Sequence, residues 1–338
     1  MIAGRKIDKI ARALDRLGAQ ESDCRICPRD CGVDRSAGQK GFCGSGVLAT
    51  VSHALLHFGE EPVLCGPGSR AYGKPATGNA PSGSGTIFFA GCNLKCRFCQ
   101  NYQLSWLGQG RPAGDEELAG LMLGLQEKGA LNINLVSPTH ILLPILRALR
   151  IAYSRGLEIP IVSNSSGYEK ASVLAHLEGI IDIYLPDLKY VSADLSRRYS
   201  DAADYFEQAA EAIKEMAFQQ PFLELDGRGI ARRGLVVRHL VLPGQTRDSL
   251  AVLDWLSRTF GNHVAVSIMS QYRPCHHPPE ELRRPLSSQE YGRVLARAQE
   301  LEFDRIFVQP EAFGPDDHLF PDFDLAEPFR WDTGPEKG

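Results

Sequence analysis

From residue 86 onward the chain alternates two rhythms of apolar and polar positions. Short, nearly continuous apolar runs stand at "TIFFA" (86–90), "NINLV" (132–136), "IPIVS" (159–163), "IDIYL" (181–185), "GLVVRHLVL" (234–242) and "HVAVSIM" (263–269), with a weaker one at "DRIFVQ" (304–309). Runs of that length, closed by Gly, Pro or polar residues, predict strands buried on both faces. Between them "DEELAGLMLGLQEKG", "ILLPILRALRIAYSRG", "EKASVLAHLEG", "AADYFEQAAEAIKEMAF", "SLAVLDWLSRTF" and "SQEYGRVLARAQEL" read as helices. Six such strand–helix units predict an α/β fold whose parallel sheet is wrapped by helices. The pattern fits a barrel or a doubly wound sheet. In either, chemistry gathers beyond the C-terminal ends of the strands, here "GCNLKC", "SPTH", "NSSGYE", "PDLK", "PGQT" and "SQYRP".

The flanks read differently. Residues 1–84 are rich in Gly and Cys, with little periodicity beyond a first helix. In that helix Ile7, Ile10, Ala11, Leu14 and Leu17 follow helical spacing and predict docking on the protein's own body. "GPGSRAYGKPATGNAPSGSG" (66–85) is a breaker-rich loop joining this small Cys-rich module to a main body over 85–310. Residues 311–338 hold Pro, Asp and aromatic residues without period and predict an extended tail whose Phe and Trp side chains dock on the body.

Composition narrows the function classes. The 338 residues are 43% hydrophobic and 23% charged, ordinary for a globular protein. A formal net charge of −4 gives no electrostatic reason to expect a nucleic-acid partner. No apolar run approaches the roughly 20 residues of a membrane span, and the charged N-terminus lacks an apolar signal core. The chain therefore reads as cytoplasmic, without a membrane partner, and its nine cysteines as reduced thiols. All but Cys275 lie in the first 99 residues, a crowding that points to metal chemistry.

Those cysteines form two sets. Cys24, Cys27, Cys31 and Cys43 are spaced C-x2-C-x3-C-x11-C, a closed set of four for structural zinc or an auxiliary iron–sulfur cluster. Spacing does not separate the two, and Cys65 is a spare or replacement ligand. Cys92, Cys96 and Cys99 are spaced C-x3-C-x2-C on a loop just past a strand. Three thiolates there can hold three irons of a cluster and leave the fourth without a protein ligand. An open metal position marks a catalytic site; the alternative is a zinc knuckle with a remote fourth ligand.

"GSGTIFFAGCNLKCRFCQNYQLS", with Phe98 before the last cysteine, resembles the radical S-adenosylmethionine superfamily. Within it the likeness is to the pyruvate formate-lyase activating enzymes, and more to their relatives with an extra Cys-rich N-terminus. The resemblance implies an open (β/α)6 partial TIM barrel, a [4Fe–4S] cluster on Cys92, Cys96 and Cys99, and S-adenosylmethionine on the open iron. One-electron cleavage would give methionine and a 5′-deoxyadenosyl radical that abstracts hydrogen. In an activase the hydrogen comes from a backbone glycine of a partner glycyl radical enzyme, with flavodoxin or ferredoxin as electron donor. A radical modification of another protein or a small molecule, or a non-catalytic metal scaffold, stand as alternatives.

The same resemblance implies site residues. "LPDLKY" matches an Asp-x-Lys element, so Asp187 and Lys189 would meet the ribose hydroxyls and methionine carboxylate; a surface salt bridge is the plainer reading. Asn164 in "NSSGYE" would line that pocket, as would Arg238 in "VVRHLVLPG", with His239 on the opposite strand face as a buried histidine. Gln271 and Tyr272 would face the active site, and His57, Glu60 and Glu61 would stand near the barrel mouth, a solvated loop by default. The family's Gly-Gly-Glu motif is absent, and "NLVSPTH" stands in its place. Ser137 and Thr139 would substitute there, or Thr139 would cap the following helix. Cys275 and its neighbours could suggest metal, but adjacent side chains diverge, and His276 and His277 read as an exposed loop.

Overall fold

The computed structural model describes residues 2–66, 83–309 and 321–329. Most of the breaker-rich loop and much of the C-terminal tail lie outside these residues. The chain opens with α1 (Ile2–Leu17), β1 (Ala49–His57), α2 (Pro62–Cys65), β2 (Ser84–Phe89), α3 (Tyr102–Ser105) and β3 (Arg111–Ala113). It continues with α4 (Asp115–Glu127), β4 (Ile133–Val136), α5 (Leu142–Ser154), β5 (Ile161–Ser165), α6 (Ala171–Leu174) and β6 (Ile183–Pro186). Then follow α7 (Ala193–Ser200), α8 (Tyr205–Gln219), β7 (Glu224–Leu225), β8 (Ala231–Leu240), α9 (Thr246–Phe260), β9 (Ala265–Met269), α10 (Ser288–Glu300) and β10 (Ile306–Val308).

The strands lie in the order β10-β9-β8-β6-β5-β4-β2-β1-β3, with β7 paired to β8. From β2 to β10 every neighbouring pair along this order is parallel. The two edges do not meet, so the fold is an open α/β partial barrel. Register aligns the strand ends: Val136 faces Asn164, and Asn164 faces Leu185. The loops that follow these strands therefore open at one end of the sheet.

Both faces of the sheet are buried, as parallel strands require. Ile87, Leu135, Ile161, Val237 and Ile268 join the core under the helices. Val162, Ile183, Leu185, Val236 and Ala265 face the interior, plugged from below by Val63 and Leu64 of α2. The α1 stripe docks on α5 with Ile10, Ala13 and Leu17 buried. Its nearly buried Lys6 donates to Asp182 Oδ2 at 2.5 Å, Tyr153 Oη at 2.9 Å and the Ile180 carbonyl at 3.2 Å.

All seven strands expected after residue 86 are present, but the sheet is wider than the pattern predicts. β2 begins at Ser84, inside the stretch expected to be loop. β1 pairs antiparallel with β2 and β3 antiparallel with β1, and neither is signalled by periodicity. In β1 most residues are half-buried on both faces, and Ser52 and His53 interrupt the apolar alternation. Pairing with β2, not its own pattern, holds it extended. Across this end Phe323 and Phe329 pack on Phe88 and Leu104. Among the described residues no helix is long and apolar enough to cross a membrane.

Candidate functional site

The three cysteines lie on the loop leaving β2, which starts at Gly91 with φ +84°. Leu94 and Phe98 are buried beneath it, and the Phe98 ring meets Tyr190, Tyr199 and Tyr272 edge-on at 6.1–6.5 Å between centroids. The aromatic at position 98 thus seats the loop while also lining the cleft. Each sulfur has a hydrogen-bonding partner. The Leu94 amide donates to Cys92 Sγ (3.3 Å), the Ser105 hydroxyl donates to Cys99 Sγ (3.2 Å), and Ser200 Oγ stands 3.0 Å from Cys96 Sγ.

Burial pushes the Cys92 thiol up to about 12 and Cys99 to about 11, and raises Cys96 as well. Such a pocket resists a bare thiolate and accepts one only beside positive charge, which bound iron supplies. Among the described residues no group of three or more His, Cys, Asp or Glu side chains could hold a metal ion. Convergence on one point is the requirement of a single ion; in a cluster each thiolate binds its own iron. The donors along one cleft wall and the partnered sulfurs fit the three-cysteine cluster. Cys275 is buried close by, but its thiol is turned to the carbonyls of Cys99 (3.3 Å) and Phe98 (3.6 Å).

The thiols face a cleft of about 900 Å³ that also includes Ser137, Asn164, Asp187, Lys189, Arg238 and Gln271. Arg238 is its hub. Nε donates to Asp187 Oδ1 at 3.1 Å, Nη2 to Asn164 Oδ1 at 2.6 Å and Nη1 to Glu60 Oε2 at 3.3 Å. Lys189 Nζ donates to Asp187 Oδ2 at 2.5 Å, so the surface reading of that pair is set aside: both side chains are 16% exposed. Burial would raise the Asp187 carboxyl, but Lys189 and Arg238 outweigh it and hold it below the usual range. Gly167 (φ +76°) passes so near that a Cβ would sit 2.2 Å from the Asp187 carbonyl oxygen. Ser137 is held at φ +59° while its amide donates to the Asn164 carbonyl, a strained conformation of the kind that collects at functional sites.

Two expected contacts point elsewhere. Thr139 neither caps a helix nor lines the cleft; its hydroxyl donates to Glu169 Oε1 at 2.9 Å, and Ser165 donates to the other oxygen. Burial raises that Glu169 carboxyl, and the buried group needs those donors. Tyr272 is fully buried, donating to the Leu282 carbonyl, and supports Phe98 from behind. His239 is buried as expected, bound to the Leu188 carbonyl and Ser249 Oγ. His277 is exposed, but His276 is half-buried and stacks on Tyr102 at 4.9 Å, correcting the exposed-loop expectation.

A second chamber of about 650 Å³ adjoins the first across Asn164, Arg238 and Gln271 and is lined by His57, Glu60, Glu61, Phe88, Gln309 and Phe329. The solvated loop expected for "HFGEEP" is instead buried: His57, Glu60 and Glu61 are 8%, 7% and 1% exposed. Burial would raise Glu60, but His57 and Arg238 hold it low; burial, with the Glu60 charge, raises Glu61. A paired Glu-Glu directly after an apolar stretch was the available signal. Cys65 lies below, its thiol donating to the Glu60 carbonyl at 2.9 Å, which removes it as a spare ligand.

Cys24, Cys27 and Cys43 are buried and Cys31 is partly so. Burial pushes the Cys27 thiol up to about 12, with Cys43, Cys24 and Cys31 each adding to it. The Phe42 amide donates to Cys31 Sγ at 3.4 Å. These thiols are gathered without being closed as an ion site.

Comparison with known proteins places this geometry. The family model described as Radical SAM superfamily matches residues 86–256, half of the chain. An uncharacterized protein of Methanocaldococcus jannaschii is 29% identical over 297 residues, 84% of this chain and 77% of its own. Among solved structures, SuiB of Streptococcus suis bound to precursor peptide SuiA is 14% identical with a TM-score of 0.41. That match covers 68% of this chain and 47% of SuiB, so the chain spans about half its length. Methylornithine synthase (PylB) is 15% identical with a TM-score of 0.43, covering 73% and 74%.

Proposed function

The chain belongs to the radical S-adenosylmethionine superfamily, and from that premise we propose an enzyme that abstracts hydrogen from a substrate seated beside the cysteine loop. When bound, the cluster and S-adenosylmethionine supply one-electron cleavage and a 5′-deoxyadenosyl radical. The observation that carries the reading is that Cys92, Cys96 and Cys99 open on the same cleft as the Arg238 hub. Lys189 offers an ammonium to the methionine carboxylate, and Asp187 accepts from the ribose diol. Arg238, itself held by Asn164, keeps Asp187 in place, and Ser137 lines the cleft where the family's Gly-Gly-Glu would stand.

Within this class, the Phe98-bearing cysteine loop and the Asp187-x-Lys189 element favour activation of a glycyl radical enzyme, with flavodoxin or ferredoxin as electron donor. A second reading is modification of another protein's side chain or a small molecule. The chamber of buried Glu60, Glu61 and His57 favours it, because a backbone glycine gives those groups nothing to recognise. The four upstream cysteines are read as a structural zinc or auxiliary cluster site beside this chemistry.

The test is electron paramagnetic resonance on the anaerobically reconstituted, reduced protein. A cluster signal that changes on adding S-adenosylmethionine and is lost in Cys92→Ala is expected; a signal indifferent to both contradicts the proposal. Appearance of a glycyl radical in a co-incubated partner separates the first substrate reading from the second.

A further inference from the structure

The cysteine-rich segment ahead of the sheet reaches the cluster loop with a side chain placed between two of its own cysteines. Arg29 follows Cys27 by two residues and precedes Cys31 by two. Its Nε donates to the Asn93 carbonyl at 2.9 Å, Nη1 to the Asp201 carbonyl at 2.5 Å and Nη2 to the Ser200 carbonyl at 3.3 Å. Asn93 directly follows Cys92, and Ser200 is the residue whose hydroxyl meets Cys96 Sγ. One planar guanidinium therefore ties the backbone of the cluster loop to the end of α7, a geometry that a lysine does not reproduce.

Arg29 is itself fixed from the cysteine side. Its guanidinium lies 3.7 Å from the centre of the Phe42 ring, and Phe42 precedes Cys43 and donates its amide to Cys31. Ordering Cys27, Cys31 and Cys43 thus orders both layers of this stack. A second strut reaches the start of the loop. Arg35 donates to the His140 carbonyl at 2.7 Å and to Cys43 Sγ at 3.6 Å, and His140 Nε2 bonds the Ala90 carbonyl at 3.0 Å. Gly91 packs so closely that a Cβ would lie 2.7 Å from the Cys43 carbonyl oxygen.

We propose that Arg29 is a positioning residue for the cluster loop, and that the four-cysteine segment works on the reaction by holding Arg29 on Asn93 and Ser200. The proposal rests on the cluster reading above for its consequence, but the clamp itself is independent of it. Losing three bonds from a charged donor opens the loop more often.

The test compares Arg29→Ala, Arg29→Lys and Cys27→Ser with Arg25→Ala, an exposed arginine of the same segment whose charged partner is Asp23. In the metal-free protein, amide exchange over 91–99 should quicken about tenfold in Arg29→Ala, partly recover in Arg29→Lys, rise in Cys27→Ser and stay unchanged in Arg25→Ala. In the reconstituted protein, Arg29→Ala should alter the S-adenosylmethionine-dependent resonance and lose iron to a chelator faster. Exchange over 91–99 equal to wild type in a folded Arg29→Ala overturns the clamp, whether or not a cluster is present. Quickened exchange with no cluster formed in the wild type keeps the clamp and overturns the cluster reading.

Discussion

At the scale of single residues the site is a charge balance centred on Arg238. Its guanidinium faces two carboxylates and an amide that come from three other strand ends. Removing it in Arg238→Met leaves buried Asp187 with Lys189 and buried Glu60 with His57 and Asn134, a change that should lower unfolding free energy by about 3 kcal/mol; chemical denaturation measures it. Asp187→Asn keeps the shape but weakens the acceptor, and S-adenosylmethionine binding by isothermal titration should fall about tenfold. A third residue sets a pH dependence. Burial holds His239 neutral, its pKa lowered to about 4, whereas unfolded histidine titrates near 6.5. The unfolded state therefore takes up the proton first, and stability is full above 6.5 and falls as pH drops toward 4. Between pH 7 and pH 5 this group should cost about 2 kcal/mol, a loss that His239→Gln should remove from the denaturation profile.

Asn164, Asp187 and Lys189 stand at or just beyond the end of an apolar run, where parallel-sheet chemistry collects, and Arg238 interrupts one; the family resemblance is what singled the four out. For Glu60 the resemblance gave a place near the barrel mouth but not its partner, since its bond to Arg238 spans 178 positions and its own segment carries no period. Thr139 and Tyr272 sit in the right loops with the wrong orientation. Orientation there depends on the buried Glu169 and on Phe98, which no local spacing announces.

At the scale of elements, the turn after β5 fixes the end of β6. Gly167 has both a left-handed φ and the Asp187 carbonyl where a Cβ would go. Gly167→Ala should therefore cost more than backbone strain alone, about 1–3 kcal/mol or more, and weaken S-adenosylmethionine binding. Gly38→Ala supplies the comparison: its φ is +82° but nothing lies within 4 Å of the added atom, so only strain is expected. Equal effects in the two variants would contradict a role for the close approach. The seven parallel strands were readable because burial on both faces leaves an uninterrupted apolar run. β1 was unreadable for the opposite reason: half-covered and mixed, it owes its conformation to β2.

At the scale of the whole molecule, an open sheet gathers the cysteine loop, the Arg238 hub and the Glu60–Glu61 chamber at one end, and the upstream cysteines buttress that end from outside. The fold class was largely legible, since repeated strand–helix units permit few arrangements. The buttress was not, because it depends on contacts between Arg29 and residues more than 60 positions away. On the proposed function, the open cleft serves reductive cleavage of S-adenosylmethionine. The most direct measurement is 5′-deoxyadenosine formed when the reconstituted protein is incubated anaerobically with dithionite and S-adenosylmethionine. Its formation by the wild type and its loss in Cys96→Ala are expected; no 5′-deoxyadenosine from wild type whose cluster is spectroscopically intact would contradict that function.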